Sequence, residues 1–238
     1  MTLVVLKDVE RTYTLKGEVV HALAGVDLEI QAGEFMALAG PSGSGKTTLL
    51  NVIGALDSPT DGIVEVDGCR LDSMSASELS TLRRDRLGFI FQSYNLVPVL
   101  TVLENVEYVM MLQGWSPAKR RSRAKEVLEE VGLASMTERK PLELSGGQQQ
   151  RVAVARAIAS RPSLVLADEP TANLDSQTGE ELIRTMQRLN AEHGMTFIFA
   201  THDPMVMAEA HRLVRVRDGK IVDDEIRASP GRAQSANE

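Results

Sequence analysis

Eight residues, Gly40, Pro41, Ser42, Gly43, Ser44, Gly45, Lys46 and Thr47, constrain this chain more than any others. They follow the short apolar run Phe35 to Ala39 and precede Thr48, Leu49 and Leu50, at the start of a helical pattern that runs from Lys46 to Ala55. The glycines let the backbone curl so that successive N–H groups point inward, and the helix behind them adds its positive N-terminal end. A strand, a glycine loop and a helix in this order form a cradle for polyphosphate and commit the chain to an α/β fold. Lys46 supplies a point charge for the β and γ phosphates of a nucleotide, and the Thr47 hydroxyl is placed for Mg²⁺. Thr48 is counted with the loop as a nucleotide contact.

The rest of the chain alternates accordingly. Val4 to Val9, Ala22 to Ile30 and Ile63 to Asp67 read as strands with no helix pattern between the first two, so this part is expected to be antiparallel. Leu87 to Phe91 reads as a strand, and Thr101 to Gln113 and Pro117 to Val131 as helices closed by Gly132. Gly146 to Ser160 and Ser176 to Glu192 follow as helices, with strands at Leu164 to Ala167 and Thr196 to Ala200. Leu213 to Arg217 and Ile221 to Asp224 flank Asp218 and Gly219, a two-residue hairpin signal. The 238 residues, 43% hydrophobic and 25% charged, suit one large domain, or a core with a subdomain attached.

Two further segments carry chemistry. Leu164 to Ala167 is a buried strand running into Asp168 and Glu169, and the end of such a strand is where an open α/β sheet binds its ligand. Neighbouring side chains on an extended chain diverge, so Asp168 is expected to hold the Mg²⁺ shell and Glu169 to act as general base toward water. Leu144, Ser145, Gly146, Gly147 and Gln148 open a helix, which makes a second anion site of N–H groups and the Ser145 hydroxyl. One nucleotide does not need two such cradles from the same direction. The second is therefore expected to close over a nucleotide held by another copy of the chain, and a twofold homodimer makes two equal composite sites.

The net charge of -7 argues against wrapping nucleic acid through bulk electrostatics. A single cysteine, Cys69, excludes an internal disulfide, and a reducing compartment is the natural home. The N-terminus lacks the pattern of a signal peptide, and no apolar run reaches the roughly 18 residues of a membrane span, so a cytoplasmic protein is expected. The basic run Lys119, Arg120, Arg121, Arg123 and Lys125 reads either as a solvated helix face or as a contact for anionic headgroups. Met110, Met111 and Trp115 read either as core of the helical part or as an apolar docking surface.

These motifs, in this order, resemble the ATP-binding subunits of ABC transporters over practically the whole chain, from Tyr13 to the hairpin after Asp218. The resemblance implies a P-loop NTPase (RecA-like) α/β core with an antiparallel β subdomain and an inserted α-helical subdomain. Residues 1–226 would form one ABC ATPase domain, with the core at 1–92 and 161–226 and the helical subdomain at about 93–160; 227–238 would be a flexible polar tail. It also implies roles for residues that spacing alone leaves open. Tyr13 would stack on adenine, Gln92 would touch Mg²⁺ and couple nucleotide state to the helical subdomain, Asn173, Leu174 and Asp175 would lie at a dimer contact, and His202 would hold the γ phosphate beside Glu169. The bland alternatives are a core aromatic for Tyr13, a strand-end turn residue for Gln92, a structural hydrogen-bonder for His202 and an Asx turn for Asp175.

Several substrings, among them residues 55–62, 83–92, 100–106 and 173–179, are similar to the lipoprotein-releasing and macrolide-exporter branch. That likeness implies an ATP- and Mg²⁺-dependent ATPase, peripheral on the cytoplasmic face of the membrane, that transmits force to integral membrane permease subunits. An ATP switch signalling to a cell-envelope regulator and a soluble non-transport ATPase are the alternatives. After Glu107 the branch often has Leu-Pro where this chain has Tyr108, Val109, Met110 and Met111.

Overall fold

The computed structural model describes residues 1–15 and 17–227. In chain order the elements are β1 (Thr2–Leu15), β2 (Glu18–Gln31), β3 (Phe35–Ala39), α1 (Lys46–Ile53), β4 (Asp61–Val66), β5 (Cys69–Arg70), α2 (Ala76–Arg86) and β6 (Leu87–Ile90). They continue with α3 (Val102–Leu112), α4 (Pro117–Glu130), α5 (Gly146–Ala159), β7 (Leu164–Asp168), α6 (Ser176–His193), β8 (Thr196–Thr201), α7 (Pro204–Glu209), β9 (Arg212–Arg217) and β10 (Lys220–Ile226). Two compact units result, one of Met1–Ser75 with the described residues from Thr196 onward, the other of Ala76–Met195. Apart from Arg227, the tail expected over 227–238 lies outside the described residues.

In the first unit β2, β1, β4 and β5 form an antiparallel sheet in that order. Val26, Leu28 and Ile30 alternate inward along the second half of β2, whereas Glu18 to His21 are exposed. The hairpin therefore reaches further than the apolar pattern, which begins only at Ala22. A second sheet runs β10, β9, β3, β8, with β3 parallel to both neighbours and β10 antiparallel to β9. All five residues of β3 and all six of β8 are buried, so these strands read as apolar runs without alternation. Phe35 packs between Phe197 and Phe199, with ring centroids 5.7 and 4.7 Å away. Asp218 and Gly219, at φ 49° and 73°, make the tight turn that joins β9 to β10.

In the second unit β6 and β7 pair in parallel. Thr101 and Glu104 cap α3 reciprocally, and Pro117 occupies the first turn of α4, which ends before Gly132 at φ 77°. Asn105, fully buried, ties down the segment before α3: its amide donates to Val97, Leu100 and Thr101 carbonyls and accepts from Val97 N–H.

In the basic run on α4, Lys119, Arg121 and Lys125 are exposed, as a solvated face requires, whereas Arg120 and Arg123 are drawn in. Arg123 turns inward to the Ala159 carbonyl and to Glu126 and Glu130, Arg120 meets Glu107, and Lys119 lies over the Trp115 ring at 4.1 Å. Met110 is core, while Met111 is exposed.

Candidate functional site

Within the first unit, β3 delivers the chain into the glycine loop and α1 leaves it at Lys46. Gly45 sits at φ 105°, and a Cβ there would lie 2.5 Å from the Ala22 carbonyl oxygen, so main chain from β2 replaces any side chain. A Cβ on Gly40 would meet the Val216 carbonyl oxygen at 2.2 Å. The loop is buttressed from far along the sequence: Gly219 N–H donates to Ser44 O at 2.9 Å, and Ala24 N–H donates to Gly219 O at 3.0 Å. Lys46, only 6% exposed, bends back so that Nζ donates to the Gly40 and Pro41 carbonyls at 2.8 and 3.0 Å. Ser44 is buried and its Oγ has no hydrogen-bond partner among the described residues. A buried hydroxyl left unbonded is costly, and in a loop of inward-facing donors it is accounted for by an anion that completes it. The residues present thus fit a polyphosphate ligand.

A recess of about 370 Å³ adjoins the loop, lined by Gly40, Pro41, His202, Arg215, Arg217 and Val222 among others. His202 follows β8 and is exposed. The next residue, Asp203, caps α7 by accepting from Met205 N–H at 2.9 Å. Tyr13, on β1, is half-buried and not a core aromatic. Its hydroxyl donates to Asp57 Oδ2 at 2.5 Å, and the Arg11 guanidinium lies 4.6 Å from its ring centroid while also pairing with Asp57 at 2.7 Å. Asp57 and Arg11 hold the tyrosine in place, a pairing that residues so far apart in the sequence do not announce.

Within the second unit, β7 ends on Asp168 and the chain then turns sharply, with Glu169 at φ 46°. A left-handed glutamate is costly. Thr171 is buried in the turn that follows. Asp175 caps α6, accepting from Thr178 N–H at 3.0 Å and from its hydroxyl at 2.7 Å. Those two donors, the hydroxyl foremost, hold the Asp175 carboxyl below the usual carboxylate range.

Ser145 opens α5. Its Oγ accepts from Gln148 N–H at 3.3 Å, and the Gln148 side-chain oxygen accepts from Ser145 N–H at 3.0 Å, which closes a capping box. Gly146 and Gly147 are helical, and what excludes a side chain is crowding: a Cβ would lie 2.9 Å from the Tyr94 hydroxyl at the first and 2.4 Å from Thr178 Cγ2 at the second.

Gln92 lies just beyond β6, exposed, and its carbonyl accepts from Asn173 Nδ2 at 2.8 Å. Tyr94 and Asn95, both at positive φ, give their carbonyls to Arg156 of α5. Burial pushes the Arg156 guanidinium below its ordinary value. Neither Arg156 nor Tyr94 is legible as a site residue in the sequence; the signal would have been a non-glycine pair forced into the left-handed region, which only coordinates reveal. Among the described residues no group of three or more His, Cys, Asp or Glu side chains is arranged for a metal. A Mg²⁺ that takes most of its ligands from phosphate and water needs no such cage.

A parallel-strand core, a glycine loop with a buried lysine and a strand ending in two acids define a nucleotide-binding α/β protein. The model of the ABC transporter family matches residues 23–172, and the chain belongs to that family. It is 45% identical over 224 residues to MJ0796, an ABC transporter ATP-binding protein of Methanocaldococcus jannaschii, with 92% of this chain and 95% of that one covered. It is 46% identical to the macrolide export ATP-binding/permease protein MacB 1/2 of Paracoccus denitrificans, covering 96% of this chain but 34% of the relative. The chain thus spans about a third of the macrolide export proteins it matches. A dimeric structure of MJ0796 in a post-hydrolysis state, bound to ADP and Pi, superposes with a TM-score of 0.88 at 44% identity, covering 95% of this chain and all of that one. The chain is an ATP-binding cassette and an ATPase of this family.

Proposed function

We propose that two copies of this chain clamp two ATP molecules head to tail, and that closure pulls on an integral membrane permease of the lipoprotein-release or macrolide-export kind. The observation that carries this reading is the presence, on one chain, of two anion cradles of unlike build with a single acid pair. The Gly40–Thr47 loop holds its lysine and an orphaned hydroxyl ready for phosphate, whereas the α5 start has already spent part of its donors on its own cap. A cradle that is half satisfied adds to a phosphate held elsewhere, and a second copy of the chain supplies that phosphate.

In this reading Gly40, Pro41, Ser42, Gly43, Ser44, Gly45, Lys46, Thr47 and Thr48 wrap the phosphates, and Tyr13 stacks on adenine. Ser145, Gly146, Gly147 and Gln148 reach the γ phosphate of the partner's nucleotide, with Asp175 at the subunit boundary. Thr47, Gln92 and Asp168 are assigned to Mg²⁺, which supplies neutralising charge on the phosphates when bound. Glu169 takes a proton from water as its oxygen bonds to the γ phosphorus; the bond to the β–γ bridging oxygen breaks, releasing ADP and phosphate. His202 holds the γ phosphate and orients that water. The core is assigned to 1–92 and 161–226, and the helical subdomain to about 93–160.

No helix among the described residues is long and apolar enough to cross a membrane. The relatives named as ATP-binding/permease proteins carry more than twice this length, which supports a membrane partner for this cassette. Tyr108, Met111 and Leu112 stand 41%, 45% and 50% exposed at helical spacing on α3, and this stripe is assigned to a permease helix at the cytoplasmic face. Glu169→Gln should bind ATP, hydrolyse almost none and run as a dimer on size exclusion with ATP and Mg²⁺. A monomer under those conditions would refute the composite site. Co-purification of the chain with an integral membrane protein tests the partner.

A further inference from the structure

Gln150 lies on α5, one turn beyond Gly147, and is wholly buried. Its Nε2 donates to the carbonyl oxygen of Pro170 at 2.8 Å, and its Oε1 has no hydrogen-bond partner among the described residues. The orientation of the amide is settled by chemistry, since a carbonyl only accepts and the atom facing it must be the nitrogen. A side chain present for packing alone would be better apolar, because methionine or leucine fills much the same volume and leaves no buried oxygen unbonded. What the amide adds is one directed bond, and that bond falls on the Pro170–Thr171 peptide, one residue beyond Glu169, which is held at φ 46°.

The same helix meets the other end of this segment. Gly147 lies so close to Thr178 that a Cβ would stand 2.4 Å from its Cγ2, and Asn173, midway, donates to the Gln92 carbonyl at 2.8 Å. Residues 168–178 are therefore gripped at Pro170 and at Thr178 by the helix whose first turn is Ser145 to Gln148.

We propose that Gln150 is a positioning residue that fixes the turn bearing Glu169 to the helix bearing Ser145–Gln148. The half-site this chain lends to one nucleotide and the half-site it lends to the other then move as one body. The inference rests on the composite-site reading above. Gln150 touches no substrate; it transmits to the acid of one site the seating of α5 on the nucleotide of the other.

The test is Gln150→Met in the full chain, with turnover, its dependence on ATP concentration, ATP affinity and thermal melting all measured. The expected result is a kcat lower by about tenfold or more, because small misplacement of a base is costly. ATP affinity should stay within about twofold and cooperativity in ATP should be weakened, with at most a modest fall in melting point from the Pro170 carbonyl left without its donor. Turnover and cooperativity like the parent's, or a turnover loss fully accounted for by the fraction unfolded at the assay temperature, would overturn the proposal.

Gln150→Glu sharpens it. The introduced carboxyl offers Pro170 no proton when ionised but donates an O–H when protonated, so turnover relative to the parent should climb as pH falls. A flat ratio also counts against the tether. The two readings separate cleanly: a Glu169→Gln chain that stays monomeric with ATP sinks the composite site whatever Gln150 does. A chain that dimerises while Gln150→Met turns over normally sinks the tether alone.

Discussion

The two glycine-containing cradles look alike in sequence and differ in construction. In the Gly40–Thr47 loop, glycine is required because other main chain, at Ala22 and Val216, occupies the space of a side chain, and Gly45 takes a conformation L-residues avoid. At Gly146 and Gly147 the backbone is plain helix, and the intruding atoms are side chains, Tyr94 and Thr178. The first cradle is completed by its own buried Lys46 and carries an orphaned Ser44 hydroxyl; the second answers its own first-turn donors through Ser145. In the proposed reading the first is the primary nucleotide site, and the second is a helix start whose remaining donors add to a phosphate anchored by the other copy. A motif's composition thus does not reveal whether it binds alone; what surrounds each glycine does.

The contrast is tested most strongly by Lys46→Ala. If the loop is the primary site, losing the charged donor should weaken ATP binding by about 1.5–3 kcal/mol, tenfold or more by calorimetry. Equal affinity would remove the distinction. Next, Gly147→Ala should leave ATP affinity of the single chain intact while costing about 1–3 kcal/mol of folding stability, as its methyl drives into Thr178. Because the obstacle is Cγ2, adding Thr178→Ser should recover much of that loss in chemical denaturation; no recovery would place the obstruction in the backbone. Ser145→Ala should cost roughly 1 kcal/mol of stability through the lost cap, again with nucleotide affinity of the isolated chain unchanged.

The smallest effect concerns Asp175. Its carboxyl is held low by Thr178, so its contribution is complete above the ordinary carboxylate value and is lost as pH falls through the depressed one. Asp175→Asn keeps a capping oxygen without the titration. Melting points of the two chains should therefore converge or cross below pH about 4, and a constant gap would refute the assignment.

Much of this was legible before any coordinates. Phe35–Ala39 and Leu164–Asp168 announce themselves as apolar runs because strands flanked on both sides bury both faces. Thr101 with Glu104 and Ser145 with Gln148 mark helix starts because the pairs satisfy the first-turn donors reciprocally. Helix α2 was not legible: only Leu82 of its eleven residues is buried, so it offers no apolar stripe. Nor was the grip of α5 on its surroundings, since Gln150 to Pro170 and Arg156 to Tyr94 join residues that share no motif and no periodicity. Sequence pattern records which faces are buried. It does not record which buried polar atom meets which carbonyl.

The buttress behind Gly45 has a consequence for synthesis. The loop's floor is assembled from Ala24 on β2, Gly219 at the β9–β10 turn and Ser44 in the loop itself, joined by main-chain hydrogen bonds, with the Ala22 carbonyl packed against Gly45. A ribosome delivers the loop early and the Gly219 turn much later. Until that turn emerges and folds back, the nascent chain carries the residues of the phosphate cradle without its support. Competence to hold nucleotide is thereby deferred until the Gly219 turn has been synthesised and has folded back against the loop.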